Sequence, residues 1–194
     1  VATHSVSKVQ MVGEPVCIVG AGPIGLFIVK IARAMGAEKI FVTDISDYRL
    51  KLAKESGADY IFDSSKTDVV GEIKNLTDGL GCGIVFDTSG SVVAIKQGFQ
   101  ILRKCGQMVM VGLPSEPLVL DASDDIVWKA ATVYGIHGRE IFKSWEISKG
   151  LIGSGIVNID ELLTHRFKMS EFKDGFELAE QGLTGKVIFY PDNI

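Results

Sequence analysis

Short apolar runs alternate with longer amphipathic stretches along most of the chain. In the amphipathic stretches, apolar residues recur every three or four positions, which predicts helices that bury one face. The short runs contain few polar residues, which predicts strands that are buried on both faces of a sheet. Strands that alternate with helices in this way form a parallel sheet with helices on both sides, so the pattern predicts an α/β fold.

The alternation predicts six strands, which complete two βαβαβ halves. We predict strands at 16–19, 39–44, 60–63, 84–87, 107–112 and 132–136. We predict helices at 23–36, 46–56, 69–76, 91–104 and 141–154, a short edge strand at 117–120 and a helical turn at 124–129. Because crossovers between parallel strands are right-handed, the expected strand order is 3-2-1-4-5-6.

The two ends of the chain fall outside this alternation. Residues 1–13 carry apolar side chains at near-helical spacing and close with Gly13, which predicts the end of a helix. The main domain is predicted to span 14–154, and residues 155–194 form a tail that the six-stranded sheet does not need. The tail has its own strand–helix–strand pattern, at 164–167, 170–181 and 186–190.

A glycine-rich turn follows the first strand and opens the first helix of the alternation. Gly20, Gly22 and Gly25 match the G-x-G-x-x-G pattern of dinucleotide-binding turns. The first glycine permits a tight turn, the second lets the backbone approach a pyrophosphate, and the third lets the helix pack on the strand. Pro23 and Ile24 begin the helix, whose free amides and positive dipole end would bind phosphate. The turn therefore predicts a doubly wound, six-stranded Rossmann sheet that binds a dinucleotide.

An acidic residue, Asp44, ends the second predicted strand, nineteen residues after the last glycine of the turn. A carboxylate there accepts hydrogen bonds from the adenosine ribose and repels a 2′-phosphate, which favours NAD over NADP. A plain turn or helix-capping role is the alternative for Asp44. Arg49 lies one turn into the next helix, where it would cover the adenine, pair with Asp44 or face solvent.

The carboxyl ends of the later strands supply further candidates, because ligands of open parallel sheets bind outside these ends. We expect the residues that follow strands four and five to line the nicotinamide half of the cofactor, and plain strand-to-helix turns are the alternative. These residues are Thr88, Ser89, Val111, Gly112 and Leu113.

The sixth predicted strand ends in the motif Ile136-His137-Gly138-Arg139, at the same edge of the sheet. His137 is a candidate base or cofactor contact, but the sequence identifies no partner carboxylate, and a turn histidine is the alternative. Arg139 is the better candidate for contact with an anion. We include all four positions among the cofactor-binding residues.

The sequence shows no recognisable groups for proton transfer or metal binding. No Tyr-x-x-x-Lys pair is present, which argues against a short-chain dehydrogenase. Cys17, Cys82 and Cys105 are widely spaced and form no Cys-x-x-Cys metal motif, so we expect free, buried thiols. We therefore assign no catalytic residue and no metal ligand.

Composition narrows the possible partners. The net charge is −4 and the basic residues are scattered, so a nucleic acid is not expected as a partner. No apolar run approaches the roughly 20 residues that span a bilayer, and the first residues do not resemble a signal peptide. We expect a cytoplasmic protein that does not bind membranes, and the start at Val1 suggests part of a longer chain.

Several motifs together resemble those of the zinc-dependent medium-chain alcohol dehydrogenases. They are Gly-Ala-Gly-Pro-Ile-Gly at 20–25, Val-Thr-Asp at 42–44 with Tyr48-Arg49, Phe-Asp-Thr-Ser-Gly at 86–90, Gly-Ile-His-Gly-Arg-Glu at 135–140, Thr-His-Arg-Phe at 164–167 and Gly-Lys-Val at 185–187. The resemblance covers essentially the whole chain. It is strongest to the members that oxidise L-threonine, a small amino alcohol.

The resemblance implies that this chain is the C-terminal, NAD-binding part of such an enzyme. In that family a catalytic domain comes first and carries the zinc, and the last segment of the chain returns to it. Residues 1–13 would then end a connecting helix, and 155–194 would pack on the catalytic domain. Lys186 matches a position near the pyrophosphate. We expect the fragment to bind NAD without turnover and to form homo-oligomers, with the edge at 117–120 as a template for pairing.

Other functions remain open on the residues alone. A non-catalytic module that senses NAD would show the same fold without acid–base groups. A Rossmann methyltransferase also pairs a glycine turn with an acid after the second strand, although the full glycine spacing and the 164–167 motif argue against it. A related polyol or alcohol dehydrogenase is the nearest alternative within the resembled family.

Overall fold

The structure, a computed structural model that describes residues 1–192, is built on a six-stranded parallel sheet. The strands are β1 Pro15–Val19, β2 Lys39–Asp44, β3 Tyr60–Asp63, β4 Cys82–Asp87, β5 Leu102–Met110 and β6 Thr132–Gly135. Their order in the sheet is β3-β2-β1-β4-β5-β6, which confirms the predicted order and the doubly wound fold.

Helices connect the strands and cover the sheet. The α-helices are α1 Ala2–Val6, α2 Pro23–Ala34, α3 Asp47–Glu55, α4 Val69–Asn75, α5 Val92–Ile101, α6 Lys143–Gly153 and α7 Phe172–Glu180. A π-helix spans Ala122–Val127, and short 3₁₀-helices span Asp160–Leu162 and Met169–Glu171. Within residues 1–192, no helix has the length and apolar character that a bilayer crossing requires.

The central strands β1 and β4 are buried on both faces, as their apolar runs predict. Val16 of β1 lies between Ile40 of β2 and Ile84 of β4, and all three side chains are buried. Neighbouring residues of a strand point to opposite faces. Ile18 therefore packs in the core layer formed with α2 and α3, and Cys17 packs in the layer formed with α4 and α5.

The boundary between α5 and β5 differs from the prediction. We predicted a helix to residue 104, but Leu102 has extended backbone and already pairs with Cys82 of β4. Cys105 then takes a positive φ of 56°, and the register with β4 shifts, which marks a bulge. Cys105 is exposed, so the expectation of a buried thiol is wrong there, whereas Cys17 and Cys82 are buried. β5 also ends two residues earlier than predicted.

The predicted edge strand at 117–120 is absent, and this segment has no regular structure. Pro117 has no amide N–H to donate to a neighbouring strand. Leu118 and Leu120 instead pack on the core layer formed with α4 and α5, which explains their apolar character. The predicted helical turn at 124–129 is the π-helix. The exposed edge of the sheet on this side is therefore β6.

The tail folds as a second, two-stranded parallel sheet. Its strands are β7 His165–Lys168 and β8 Val187–Tyr190, and α7 connects them, which confirms the predicted strand–helix–strand pattern. The ring of Phe189 lies 6.1 Å from that of Phe167 and 5.7 Å from that of Phe176, measured between centroids. This aromatic cluster joins α7 to both strands.

Both end segments contact the six-stranded unit, and both contribute to the core layer formed with α2 and α3. Thr3 of α1 shares a hydrogen bond of 2.7 Å with Ser148 of α6 through their hydroxyl groups. In the tail, Glu161 forms an ion pair of 2.6 Å with Lys30 of α2. The assignment of 1–13 to a connecting helix and of 155–194 to a separate catalytic domain stays a prediction.

Candidate cofactor site

A cleft of about 450 Å³ lies at the carboxyl ends of β1, β2 and β4. Among the residues predicted from the sequence, those that line it are Gly20, Gly22, Asp44, Arg49, Thr88 and Ser89. We call it the cofactor cleft. The fold thus brings the glycine turn, the acid after β2 and the polar end of β4 to one place, as the topology of an open parallel sheet requires.

The three glycines of the turn meet different steric demands. Gly20 has a φ of 99°, and a Cβ atom there would lie 2.9 Å from Thr88 Oγ1. A Cβ atom on Gly25 would overlap the carbonyl oxygen of Gly20, so this glycine permits the close approach of α2 to the turn. A Cβ atom on Gly22 would meet no protein atom within 4 Å. Gly22 therefore borders open space in the cofactor cleft.

The N-terminus of α2 faces this space without a side-chain cap. Gly22 is the N-cap residue and has no side-chain oxygen to accept a hydrogen bond from the first turn, and Pro23 follows at the first helical position. The amides of the first turn then remain available to an anion, and the helix dipole adds a partial positive charge at this end. The arrangement fits a pyrophosphate group.

Asp44 is held by the glycine turn itself. Its Oδ2 atom accepts a hydrogen bond of 2.6 Å from the amide of Ala21, and its Oδ1 atom accepts bonds of 2.8 and 2.9 Å from the amides of Ile45 and Ser46. Asp44 therefore also has the structural role given above as the alternative, because its carboxylate connects the end of β2 to the glycine turn. A carboxylate oxygen can accept more than one hydrogen bond, so these contacts leave acceptor capacity for ribose hydroxyls.

Arg49 is fixed by the tail and does not pair with Asp44. Its Nη2 atom donates a hydrogen bond of 3.1 Å to the carbonyl oxygen of Ala179, in the last turn of α7. Within residues 1–192 no ion pair joins Arg49 to Asp44, and the buried Nε atom of Arg49 has no hydrogen-bond partner there. Arg49 lines the cofactor cleft and is held by this one side-chain hydrogen bond to the described part of the tail.

The end of β4 contains a buried carboxylate that we did not single out from the sequence. Asp87 is fully buried, and its Oδ1 atom accepts bonds from Ser89 N (3.0 Å), Ser89 Oγ (2.7 Å) and Gly90 N (3.3 Å). Burial raises the pKa of Asp87, and the hydrogen bonds from Ser89 and Gly90 oppose that rise. The available signal was the acid in Phe-Asp-Thr-Ser-Gly.

The loops after β4 and β5 pack closely against each other. The amides of Val111 and Gly112 donate to the carbonyl oxygen of Asp87, at 2.8 and 3.0 Å. Gly90 has a φ of 68°, and a Cβ atom on Gly112 would overlap its amide nitrogen. The backbone of Leu113 also lies against Gly90, while the side chain of Leu113 is exposed. Hydrogen bonds and close backbone packing therefore join the two loops next to the cofactor cleft.

The residues after β6 lie outside the cofactor cleft. Ile136 is buried and its amide donates to the carbonyl oxygen of Met110, at 2.9 Å. The guanidinium group of Arg139 lies 5.4 Å from the ring centroid of Trp145, in a cation–π contact. His137 and Gly138 also do not line the cleft. Contact of these four residues with a cofactor stays a prediction.

Lys186 lies beside the first turn of α2. It lines a second, largely apolar cavity of about 350 Å³ together with Pro23, Ile24 and residues of α1 and α6. Lys186 does not line the cofactor cleft, and its contact with a pyrophosphate stays a prediction. Within residues 1–192 no group of three or more His, Cys, Asp or Glu side chains is arranged to hold a metal ion.

Comparison with known proteins places this geometry in a family. A family model described as zinc-binding dehydrogenase matches residues 23–151. The chain is 40% identical to the L-threonine 3-dehydrogenase of Bacillus licheniformis over 190 residues, which cover 98% of this chain and 55% of that protein. It is 39% identical to the L-threonine 3-dehydrogenase of Pyrococcus horikoshii over 178 residues, which cover 91% of this chain and 51% of that protein.

Solved structures of dehydrogenases also match this chain over about half of their own length. An alcohol dehydrogenase from Thermotoga maritima superposes with a TM-score of 0.87 at 33% identity, over 98% of this chain and 54% of that chain. The 2R,3R-butanediol dehydrogenase of Bacillus subtilis superposes with a TM-score of 0.89 at 30% identity, over 99% of this chain and 55% of that chain. The chain spans about half the length of the curated relatives it matches. It belongs to the zinc-binding dehydrogenase family.

Proposed function

We propose that this chain is the NAD-binding half of a dehydrogenase that oxidises L-threonine to 2-amino-3-ketobutyrate. The observation that carries the cofactor part is the space at Gly22, at an uncapped helix N-terminus that faces the same cleft as Asp44. The threonine part is supported by relatives of that name at about 40% identity.

Each part of the cofactor has a matching group in the chain. The amides of the first turn of α2 bind the pyrophosphate, and Lys186 adds a positive charge beside it. Asp44 accepts hydrogen bonds from the adenosine ribose, and Arg49 supplies a positive charge in the same cleft. The loops after β4 and β5 border the nicotinamide, whose C4 atom accepts the hydride when NAD is bound.

The groups that act on the substrate lie outside the described residues of this chain. Zinc does not fit here, since residues 1–192 offer no ligand set for it. We therefore place the zinc and the substrate contacts in the remaining half of the longer protein, with 155–194 packed against it. The chain alone should give no threonine-dependent NADH formation. Measurable turnover by the pure chain would contradict this assignment.

We further propose a cytoplasmic protein that forms homo-oligomers through the edge strand β6. Val133 of this strand and Trp128 before it are exposed, at 39% and 75%. An unpaired strand edge beside apolar side chains is a template for another copy of the same strand. Analytical ultracentrifugation of the unmodified chain and of Val133→Lys tests this. The unmodified chain should sediment as an oligomer and Val133→Lys as a monomer, because a charge at the strand edge opposes pairing. An oligomer of the same size in both would contradict the proposal.

A titration with NAD and NADP tests the cofactor assignment. The chain should bind NADP at least about tenfold more weakly than NAD, because Asp44 repels the 2′-phosphate. Asp44→Asn should reduce this difference, since the amide carries no charge. Isothermal titration gives both affinities. Equal affinity for the two cofactors in the unmodified chain would refute the role of Asp44.

A further inference from the structure

The carboxylate of Asp87 has one oxygen satisfied and one oxygen unused. Three donors from Ser89 and Gly90 bind its Oδ1 atom. Its Oδ2 atom is buried and has no hydrogen-bond partner within residues 1–192. A buried polar atom without a partner is costly, and native structures rarely keep one without a reason. The Oδ2 atom therefore indicates a missing contact or charge.

The charge of Asp87 is also uncompensated. No Lys, Arg or His side chain within residues 1–192 forms an ion pair with it, and no charged group contributes to the shift of its pKa. By contrast, Asp63 ends the strand β3 in the same way but forms an ion pair of 2.5 Å with Lys66. A buried charge without a counter-charge destabilises the protein unless a ligand supplies one.

The unused oxygen points toward the half of the sheet where the nicotinamide is expected. A Cβ atom added to Gly112 would lie 2.8 Å from Asp87 Oδ2, so this oxygen lies against the loop after β5. The backbone of Asp87 also accepts the amides of Val111 and Gly112. The carboxylate thus sits directly behind the two loops that border the second half of a bound dinucleotide.

We propose that Asp87 sets the preference of the site for the oxidation state of the cofactor. Its buried negative charge attracts the positively charged nicotinamide ring of NAD⁺ and gives no such attraction to the neutral ring of NADH. The interaction acts through the protein and needs no direct contact, because charges interact more strongly across protein than across water. This inference rests on the proposed binding of NAD.

The test compares the affinities of the chain for NAD⁺, NADH and ADP-ribose before and after Asp87→Asn. Asparagine keeps the shape and the acceptor at Oδ1 but removes the charge. The ratio of the dissociation constants for NAD⁺ and NADH should rise about tenfold, as expected for loss of one charge interaction across protein. ADP-ribose, which lacks the nicotinamide, should bind both chains within about twofold.

Asp63→Asn is the matched control, since it removes a strand-end carboxylate that Lys66 already compensates. It should leave the NAD⁺ to NADH ratio unchanged. The inference is wrong if Asp87→Asn also leaves the ratio unchanged, or if both variants shift it equally. Failure of Asp87→Asn to fold would also overturn it, because neutralising an uncompensated charge should not unfold the chain. An unmodified chain that binds neither NAD⁺ nor ADP-ribose would instead refute the proposed function.

Discussion

The two sheets of this chain are both parallel, but they differ in how completely they are buried. Every residue of β4 is buried, and β1 is buried from its second residue to its end. In the tail, β7 alternates half-buried and exposed residues, and its exposed positions are Arg166 and Lys168. No residue of β8 is fully buried.

This difference shows where the stability of the chain resides. Parallel strands usually have both faces covered, as the helices cover the six-stranded sheet. The tail sheet has α7 on one face, and its exposed cations lie on the other. The residues of the cofactor cleft that end β1, β2 and β4 therefore belong to the better-buried sheet, whereas Lys186 immediately precedes β8 of the less protected sheet.

The largest expected effect is the loss of an aromatic ring from the six-stranded unit. Phe41 of β2 is fully buried and its ring stacks on Tyr60 at 5.2 Å, so Phe41→Ala should lower the free energy of unfolding by about 3–5 kcal/mol. The matched change in the tail, Phe189→Ala, removes a half-buried ring and should cost about 1.5 kcal/mol. Urea denaturation followed by circular dichroism measures both.

Amide hydrogen exchange shows whether each of these two substitutions acts locally or on the whole chain. Phe189→Ala should speed amide exchange in β7 and β8 and leave the protection of β1 and β4 intact, because the tail opens locally. Phe41→Ala should raise exchange throughout the central sheet. Equal costs for the two substitutions, with global exchange in both, would show that the sheets form one cooperative unit and that the comparison is wrong.

A smaller effect is expected where the two regions meet. Ser46 Oγ accepts the amide of Arg49 as the N-cap of α3 and donates a bond of 2.8 Å to the carbonyl oxygen of Gly182. Ser46→Ala should cost about 1 kcal/mol and release the end of α7. Ser91→Ala is the control, because Ser91 caps α5 and forms no hydrogen bond to the described part of the tail. Faster exchange after α7 in both variants would contradict this link.

Much of the fold follows from local pattern, because buried parallel strands are continuous apolar runs and the helices between them have clear caps. The boundary at Leu102 was missed because the apolar residues of α5 are followed by Arg103 and Lys104, and basic residues are typical of the last turn of a helix. The segment at 117–120 was misread as a strand because its leucines are apolar. Their role is packing, and Pro117 cannot complete a strand ladder.

The candidate site likewise has residues that the sequence could predict and residues that it could not. The glycine turn and Asp44 follow from spacing, since each role is set by residues close in sequence. The partner of Arg49 could not be predicted, because Ala179 is 130 residues away. The burial of Asp87 likewise depends on the approach of the loop after β5, which is a long-range contact. Such contacts leave no local pattern in the sequence.

The most direct test of the central claim is the affinity of Gly22→Ala for NAD. A Cβ atom at Gly22 meets no protein atom within 4 Å, and its φ of −66° and ψ of 178° suit alanine, so the variant should fold normally. Gly150→Ala in α6 is the control, since its added Cβ atom is equally free of contacts. We predict that Gly22→Ala melts at the temperature of the unmodified chain and binds NAD at least about tenfold more weakly, while Gly150→Ala binds normally. Unchanged NAD affinity in a folded Gly22→Ala chain would contradict the account.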